Sequence, residues 1–219
     1  MPIVGLVLSG CGVNDGSEIH ETVITMLELD RAGAETVMMA PNIDHLHVIN
    51  HATGEEMEES RNVLIESARI ARGDIKDIAV VKGDNLDALI FPGGFGVAKN
   101  LCDYAMAGPE CSVNPDVPRL ISEVHAAGKP IGVICIAPAM MAKVMGEKDE
   151  KVDLTIGFNE QTGNDINAMG ANHVMCPVEG FVVDKEKKIV STPAYMEAKS
   201  IKEAATGIEK LVSEVLSLI

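Results

Sequence analysis

Ile131-Gly132-Val133-Ile134-Cys135-Ile136-Ala137-Pro138-Ala139 changes character at its fifth residue. Val133 and Ile134 are β-branched and suit a buried strand. Pro138 suits the first turn of a helix, where its missing N–H leaves no hydrogen bond unmade. Cys135 is therefore expected at a sharp strand-to-helix turn, its side chain presented at the end of a sheet with helix N–H groups aimed at it. A helix N-terminus stabilises an anion, so the expectation is a thiol whose pKa is lowered. The competing reading is a buried, inert cysteine, since free Cys is among the most buried residue types.

Working outward, the chain alternates short apolar runs with amphipathic stretches. Ile3–Leu8 reads as a strand, and a helix follows, capped by Asp15 or Ser17 and ended by Arg31-Ala32-Gly33. Ile19, Val23, Met26 and Leu27 recur at helical spacing and are expected as its buried stripe; at about 100° per residue Glu21 falls off that stripe. Glu35–Ala40 is a second strand. Further strands are expected at 45–50, 75–81, 86–91, 131–134 and 154–156, and helices at 58–72, 97–105 and 118–127 and from Ile136 onward. Residues 159–169 read as irregular. Asp184-Lys185-Glu186-Lys187 turns two late strands into a hairpin, and a long helix over 195–218 closes the chain. Short strands at 174–177, 180–183 and 188–191 are also expected. Strands alternating with helices imply an α/β single-domain three-layer sandwich over residues 1–219: a mostly parallel sheet with helices on both faces. In such folds ligands bind at the carboxyl ends of the strands. The loop after Leu8, Pro92-Gly93-Gly94 and Cys135 all fall at such ends.

Composition narrows the partners. Of 219 residues only 3% are aromatic and none is Trp, so Ile, Val, Leu, Met and Ala must build the core. A net charge of -15 argues against nucleic acid, which needs a basic face, and against anionic membranes. No run of about 18 apolar residues is present, so no transmembrane helix is expected. The five cysteines (Cys11, Cys102, Cys111, Cys135 and Cys176) are odd in number and lack metal-ligand spacing, so no metal is expected. The N-terminal residues Met1–Gly5 lack a basic region and a long apolar core, so a signal peptide is not expected; free thiols in a reducing cytoplasm are the expectation.

Three motifs together resemble one family. Leu89-Ile90-Phe91-Pro92-Gly93-Gly94 is similar to a glycine-rich oxyanion loop, Gly132-Val133-Ile134-Cys135-Ile136-Ala137-Pro138 to a nucleophile elbow, and His20-Glu21-Thr22-Val23 with Arg31-Ala32-Gly33 to a characteristic first helix. These resemble the class I glutamine amidotransferase-like superfamily in its ThiJ/PfpI branch. Ser9-Gly10-Cys11-Gly12, Val48-Ile49-Asn50-His51 and Thr192-Pro193-Ala194-Tyr195 resemble the ElbB/ES1 group within it. The resemblance implies a flavodoxin-like, amidotransferase-like fold. It implies Cys135 as nucleophile, Glu21 rather than Glu18 as its carboxyl partner, and the backbone N–H groups of Gly94 and Ile136 as oxyanion donors. Relatives with glutaminase activity place a histidine where this chain has Gly157, so a Cys-His-Glu triad is not expected unless His51 or His173 reaches the site from a loop. What remains is a cofactor-independent glyoxalase or deglycase acting on glyoxal or a similar small aldehyde. The alternative is a redox-sensing or ligand-binding protein that uses the same thiol. By analogy with the branch, a homodimer is expected.

Overall fold

The computed structural model describes residues 1–219. Nine strands form: β1 (Ile3–Val7), β2 (Glu35–Ala40), β3 (Lys76–Asp77), β4 (Ala88–Phe91), β5 (Ile131–Ile134), β6 (Asp153–Leu154), β7 (Asn172–His173), β8 (Val182–Asp184) and β9 (Ile189–Thr192). Seven helices accompany them: α1 (Ile19–Arg31), α2 (Val63–Ile70), α3 (Tyr104–Ala107), α4 (Asp116–Ala126), α5 (Ala137–Gly146), α6 (Glu160–Ala168) and α7 (Ile201–Ser217). The main sheet runs β3-β2-β1-β4-β5-β9-β8, parallel except for the β8–β9 hairpin. β6 and β7 pair separately, in parallel.

The central strands are apolar on both faces because both faces are covered. Leu89 and Phe91 of β4 and Ile131 and Val133 of β5 join a cluster with α4 and α5, while Ala88, Ile90 and Ile134 join the opposite cluster with α1 and α7. Gly132 marks a tight contact on the second face: a Cβ there would lie 3.0 Å from Leu211 and 3.1 Å from Val215 of α7. Strand order changes direction at β1, whose neighbours β2 and β4 connect away on opposite sides. The carboxyl ends of β1, β4, β5 and β9 meet beside that switch point, where a crevice is expected.

Several expectations are corrected. α1 is capped by Glu18, whose side chain accepts the Glu21 N–H, and not by Asp15 or Ser17. Its expected buried stripe is largely exposed: Ile19, Val23 and Leu27 are 41%, 48% and 43% accessible. The face turned inward carries Glu21, Thr22, Ile24, Thr25 and Leu29. Two threonines can lie there because their hydroxyls donate back to the carbonyls of Glu18 and Glu21. Both faces follow the helical period, so hydropathy selected the wrong one. Residues 45–50 form an isolated bridge rather than a strand. The 58–72 helix contracts to α2 behind an Asn62 cap. Ile78–Val80 leaves β3 as a 3-10 turn, Val97–Leu101 winds as a π-helix before α3, and the polar stretch 159–169 is helix α6 capped by Asn159. Residues 174–177 form no strand; the pairing is by β7, just before them. The closing helix starts at Ile201, after a 3-10 turn at Ala194–Met196.

Leu211, fully buried against Gly132, tests the α7–sheet contact. Leu211→Ala is expected to lower unfolding free energy by about 3 kcal/mol in urea titrations, through lost burial and the cavity left behind.

Candidate functional site

Cys135 occupies the first position beyond β5, with its backbone N–H donated to the Thr192 carbonyl at 3.0 Å. Its φ is +62°, a left-handed conformation in a residue with a Cβ. That strain, of order 1–3 kcal/mol, is held by β5 on one side and α5 on the other. The side chain is 7% exposed.

Glu21 lies against it from α1. The carboxyl is fully buried, accepts the Gly93 N–H at 2.9 Å and the Tyr195 N–H at 3.1 Å, and packs beside the Cys135 thiol over Gly93. One side chain thus ties together the loops after β4, β5 and β9. The backbone N–H groups of Gly94 and Ile136 lie near enough to the sulfur to favour its anion. The four residues singled out in the sequence (Cys135, Glu21, Gly94 and Ile136) therefore converge on one point.

The glycines make this approach possible. A Cβ at Gly93 would stand 2.3 Å from the Cys135 Cβ and 2.6 Å from Glu21 Oε2. Gly94 has φ +96°, and a Cβ there would meet the Glu18 nitrogen at 2.3 Å.

The electrostatics differ from the sequence expectation. The Cys135 thiol is raised well above its ordinary value: burial dominates, the Glu21 charge adds to it, and the N–H groups of Gly94 and Ile136 offset only part. Glu21 is pushed up to about 8, first by burial and then by the nearby Glu18. Near neutral pH the pair holds its protons, and its titration belongs to the pair rather than to either residue.

A cavity of about 550 Å³ opens over the thiol. Its walls include Glu18, Phe95, Tyr104, Asp165 and Tyr195 together with Gly94, Cys135 and Ile136. Glu18, Tyr104, Asp165 and Tyr195 were not singled out from the sequence. Tyr195 lies within a quoted motif, whereas Asp165 sits in α6, whose polar pattern hid a helix.

No histidine completes a triad. His51 Nε2 accepts the Asn14 N–H at 3.1 Å and lies 3.7 Å from Asp15; the His173 ring packs against Gly163. Neither lines the cavity. His20 bonds the Tyr195 hydroxyl through Nδ1 at 2.8 Å. At Gly157 the space for a side chain is already taken: a Cβ would lie 2.4 Å from Glu197, whose carboxylate accepts the Phe158 N–H at 2.6 Å. Cys11 and Cys176 lie outside its walls.

A buried thiol on a strained strand-to-helix turn, paired with a helix carboxyl and glycine-loop amides on a parallel sheet, defines the class I glutamine amidotransferase-like site architecture. Comparison with known proteins agrees. The chain is 47% identical to the human glutamine amidotransferase-like class 1 domain-containing protein 3, mitochondrial, over 98% of this chain and 82% of that protein. It is 46% identical to the rat ES1 protein homolog, mitochondrial, over 98% of this chain and 83% of the relative. It superposes on the crystal structure of an isoprenoid biosynthesis protein with amidotransferase-like domain from Ehrlichia chaffeensis with TM-score 0.93 and 38% identity, covering 100% and 99% of the two chains. Glyoxalase III from Candida albicans shares the fold, with TM-score 0.64 at 13% identity over 100% and 97% of the chains. No protein-family model matches the chain. The chain belongs to the ES1 group of the class I glutamine amidotransferase-like superfamily, in its ThiJ/PfpI branch. The cytoplasmic placement expected from the sequence is overturned, because the curated relatives are named as mitochondrial proteins.

Two predictions follow from the buried pair. The Glu21 carboxyl gains its proton on burial, so its contribution to stability is complete below about pH 4.5 and is lost as pH rises towards 8. Over that window the loss amounts to about 5 kcal/mol at most. Urea unfolding at pH 5 and pH 8 is expected to show a smaller difference for Glu21→Gln than for the parent. Gly93→Ala is expected to displace Cys135 or Glu21, seen as a loss of at least about 2 kcal/mol in the same assay.

Proposed function

We propose that the chain is a cofactor-independent glyoxalase, converting glyoxal or a similar small 2-oxoaldehyde to the corresponding 2-hydroxy acid through Cys135. The observation that carries the reading is a buried thiol packed beside a buried carboxyl of raised proton affinity, beneath a cavity open to a ligand. Such a pair suits addition of a thiol to a carbonyl, because one group supplies the nucleophile and the other moves the proton.

The reacting form is the pair that has lost one proton: the Cys135 sulfur bonds to one carbonyl carbon as Glu21 gives its proton to the carbonyl oxygen, giving a hemithioacetal and leaving Glu21 as the carboxylate. The Glu21 carboxylate removes the hydrogen from that carbon, and the neighbouring carbonyl oxygen is protonated, giving an enediol. Proton return to the second carbon yields a thioester. Water then cleaves the C–S bond, releasing glycolate from glyoxal and restoring the thiol; no electrons enter or leave overall. The amides of Gly94 and Ile136, which lie near the sulfur at rest, are near enough to stabilise developing oxyanion charge in the same space. Deglycation of glyoxal-modified amines would appear through removal of free aldehyde by this route.

The alternative, a redox sensor, calls for an accessible thiol of lowered pKa. Burial and the raised pKa of Cys135 favour the catalytic reading. The Glu197 carboxylate beside Gly157 also weighs against an amide hydrolase using a histidine there.

Cys135→Ala is expected to abolish glycolate formation while circular dichroism and unfolding midpoint stay near the parent's; full retained activity overturns the mechanism. The pH profile of kcat/KM is expected to rise towards about 8 as the pair loses its first proton. In Glu21→Gln, alkylation of Cys135 followed by peptide mass spectrometry is expected to titrate at lower pH, because both contributions of Glu21 to the sulfur raise its pKa.

A further inference from the structure

Glyoxal has four heavy atoms, and the cavity of about 550 Å³ is far larger than it needs; pockets of this size commonly enclose ligands many times bigger. The surplus space has a distinct chemistry. No Lys, Arg or His lines it, whereas Glu18 and Asp165 do. Glu18 is 8% exposed; its Oε2 takes the Glu21 N–H at 2.7 Å, and no donor of the chain reaches Oε1. Also in the lining, Tyr104 donates its hydroxyl to Asp165 Oδ2 at 2.7 Å, which leaves Oδ1 without a donor from the chain.

The aromatic residues point the same way. The chain has two Tyr and four Phe, and both tyrosines and Phe95 line this one cavity. Aromatic faces beside unpaired carboxylates attract organic cations and repel anions. The neighbouring basic groups leave this pattern intact. Lys99 lies over the Phe95 ring, but its ammonium donates to the Asn14 carbonyl at 2.8 Å, and His20 holds the Tyr195 hydroxyl without lining the cavity.

We propose that the cavity selects carbonyl compounds bearing a cationic nitrogen, an ammonium or guanidinium group, with Glu18 and Asp165 as specificity-determining carboxylates and Tyr104 and Tyr195 as the walls that hold the cation. This rests on the proposed function for the reacting end of the substrate, whose aldehyde carbon meets Cys135. The charge preference rests on the cavity alone. Carbonyl compounds that carry a carboxylate or phosphate are poor substrates under the same rule.

The test reads the cavity without requiring turnover. Cys135 is modified by matched methanethiosulfonates carrying a trimethylammonium-ethyl, a neutral methyl or a sulfonatoethyl group, and labelling at Cys135 is timed by peptide mass spectrometry. The cationic reagent is expected to react about ten times faster than the anionic one, relative to each reagent's rate with a free thiol. The ratio is expected to fall by about threefold or more in Glu18→Gln and in Asp165→Asn and to stay unchanged in Glu209→Gln, which removes an exposed charge on α7 away from the cavity. Because the ratio compares reagents on one sulfur, changes in thiol pKa cancel. Equal normalised rates, or a ratio that drops as much in Glu209→Gln, overturn the proposal. In parallel, hydroxy acid formation is compared between cationic and neutral 2-oxoaldehydes. If the labelling preference holds but neither aldehyde is converted, the glyoxalase reading fails while the charge selection stands. If both are converted and the labelling shows no preference, the charge selection fails alone.

Discussion

A carboxyl group removed from water must be compensated, and in this protein the compensation of one such group organises everything around it. Glu21 is bonded by an amide from the loop after β4 and an amide from the turn after β9, and packs against the thiol after β5. Each partner belongs to a different strand end, so satisfying the carboxyl fixes the relative positions of the loops that carry the cavity. The same burial that demands these partners also raises the proton affinity of the carboxyl, and its charge raises that of the sulfur. Structure and reactivity are therefore two results of one desolvation.

The strand-to-helix turn has a less simple effect than its geometry implies. The start of α5 and the Gly94 amide do favour a sulfur anion, as the helix-terminus rule requires. Burial and a neighbouring acid outweigh them. The site is closer to a guarded proton pair than to a standing thiolate, and a thiol of that kind is spared adventitious oxidation until a carbonyl enters. Gly93 packs closely on both members of the pair.

Much of this was legible in the residue order. The apolar runs that became β1, β4 and β5 carried their own boundaries, because strands buried on both faces read as continuous hydrophobic segments. The Pro138 helix start and the Gly93-Gly94 pair marked two edges of the site. The choice of Glu21 over Glu18 as the residue against the sulfur agrees with the geometry, although periodicity alone placed Glu21 on the wrong face. It failed because the inner face of α1 is polar: Glu21, Thr22 and Thr25 are buried there through hydrogen bonds that no hydropathy pattern reveals. α6 was missed for the opposite reason, since its Asn159 cap was present but its few apolar residues gave no stripe. The far wall of the cavity, with Tyr104 and Asp165, depends on a contact between segments 61 positions apart and had no local signal.

The bond from the Tyr195 amide to Glu21 spans 174 positions of chain. Contacts of that separation are costly in loop entropy. Tyr195 follows β9, so the carboxyl's shell is complete only with β9 seated beside β5. A nascent chain, or one cut before β9, holds Cys135 and Glu21 but lacks the amide that completes the carboxyl's shell. Completion of the carboxyl's surroundings is thereby tied to a segment far along the chain from the carboxyl itself.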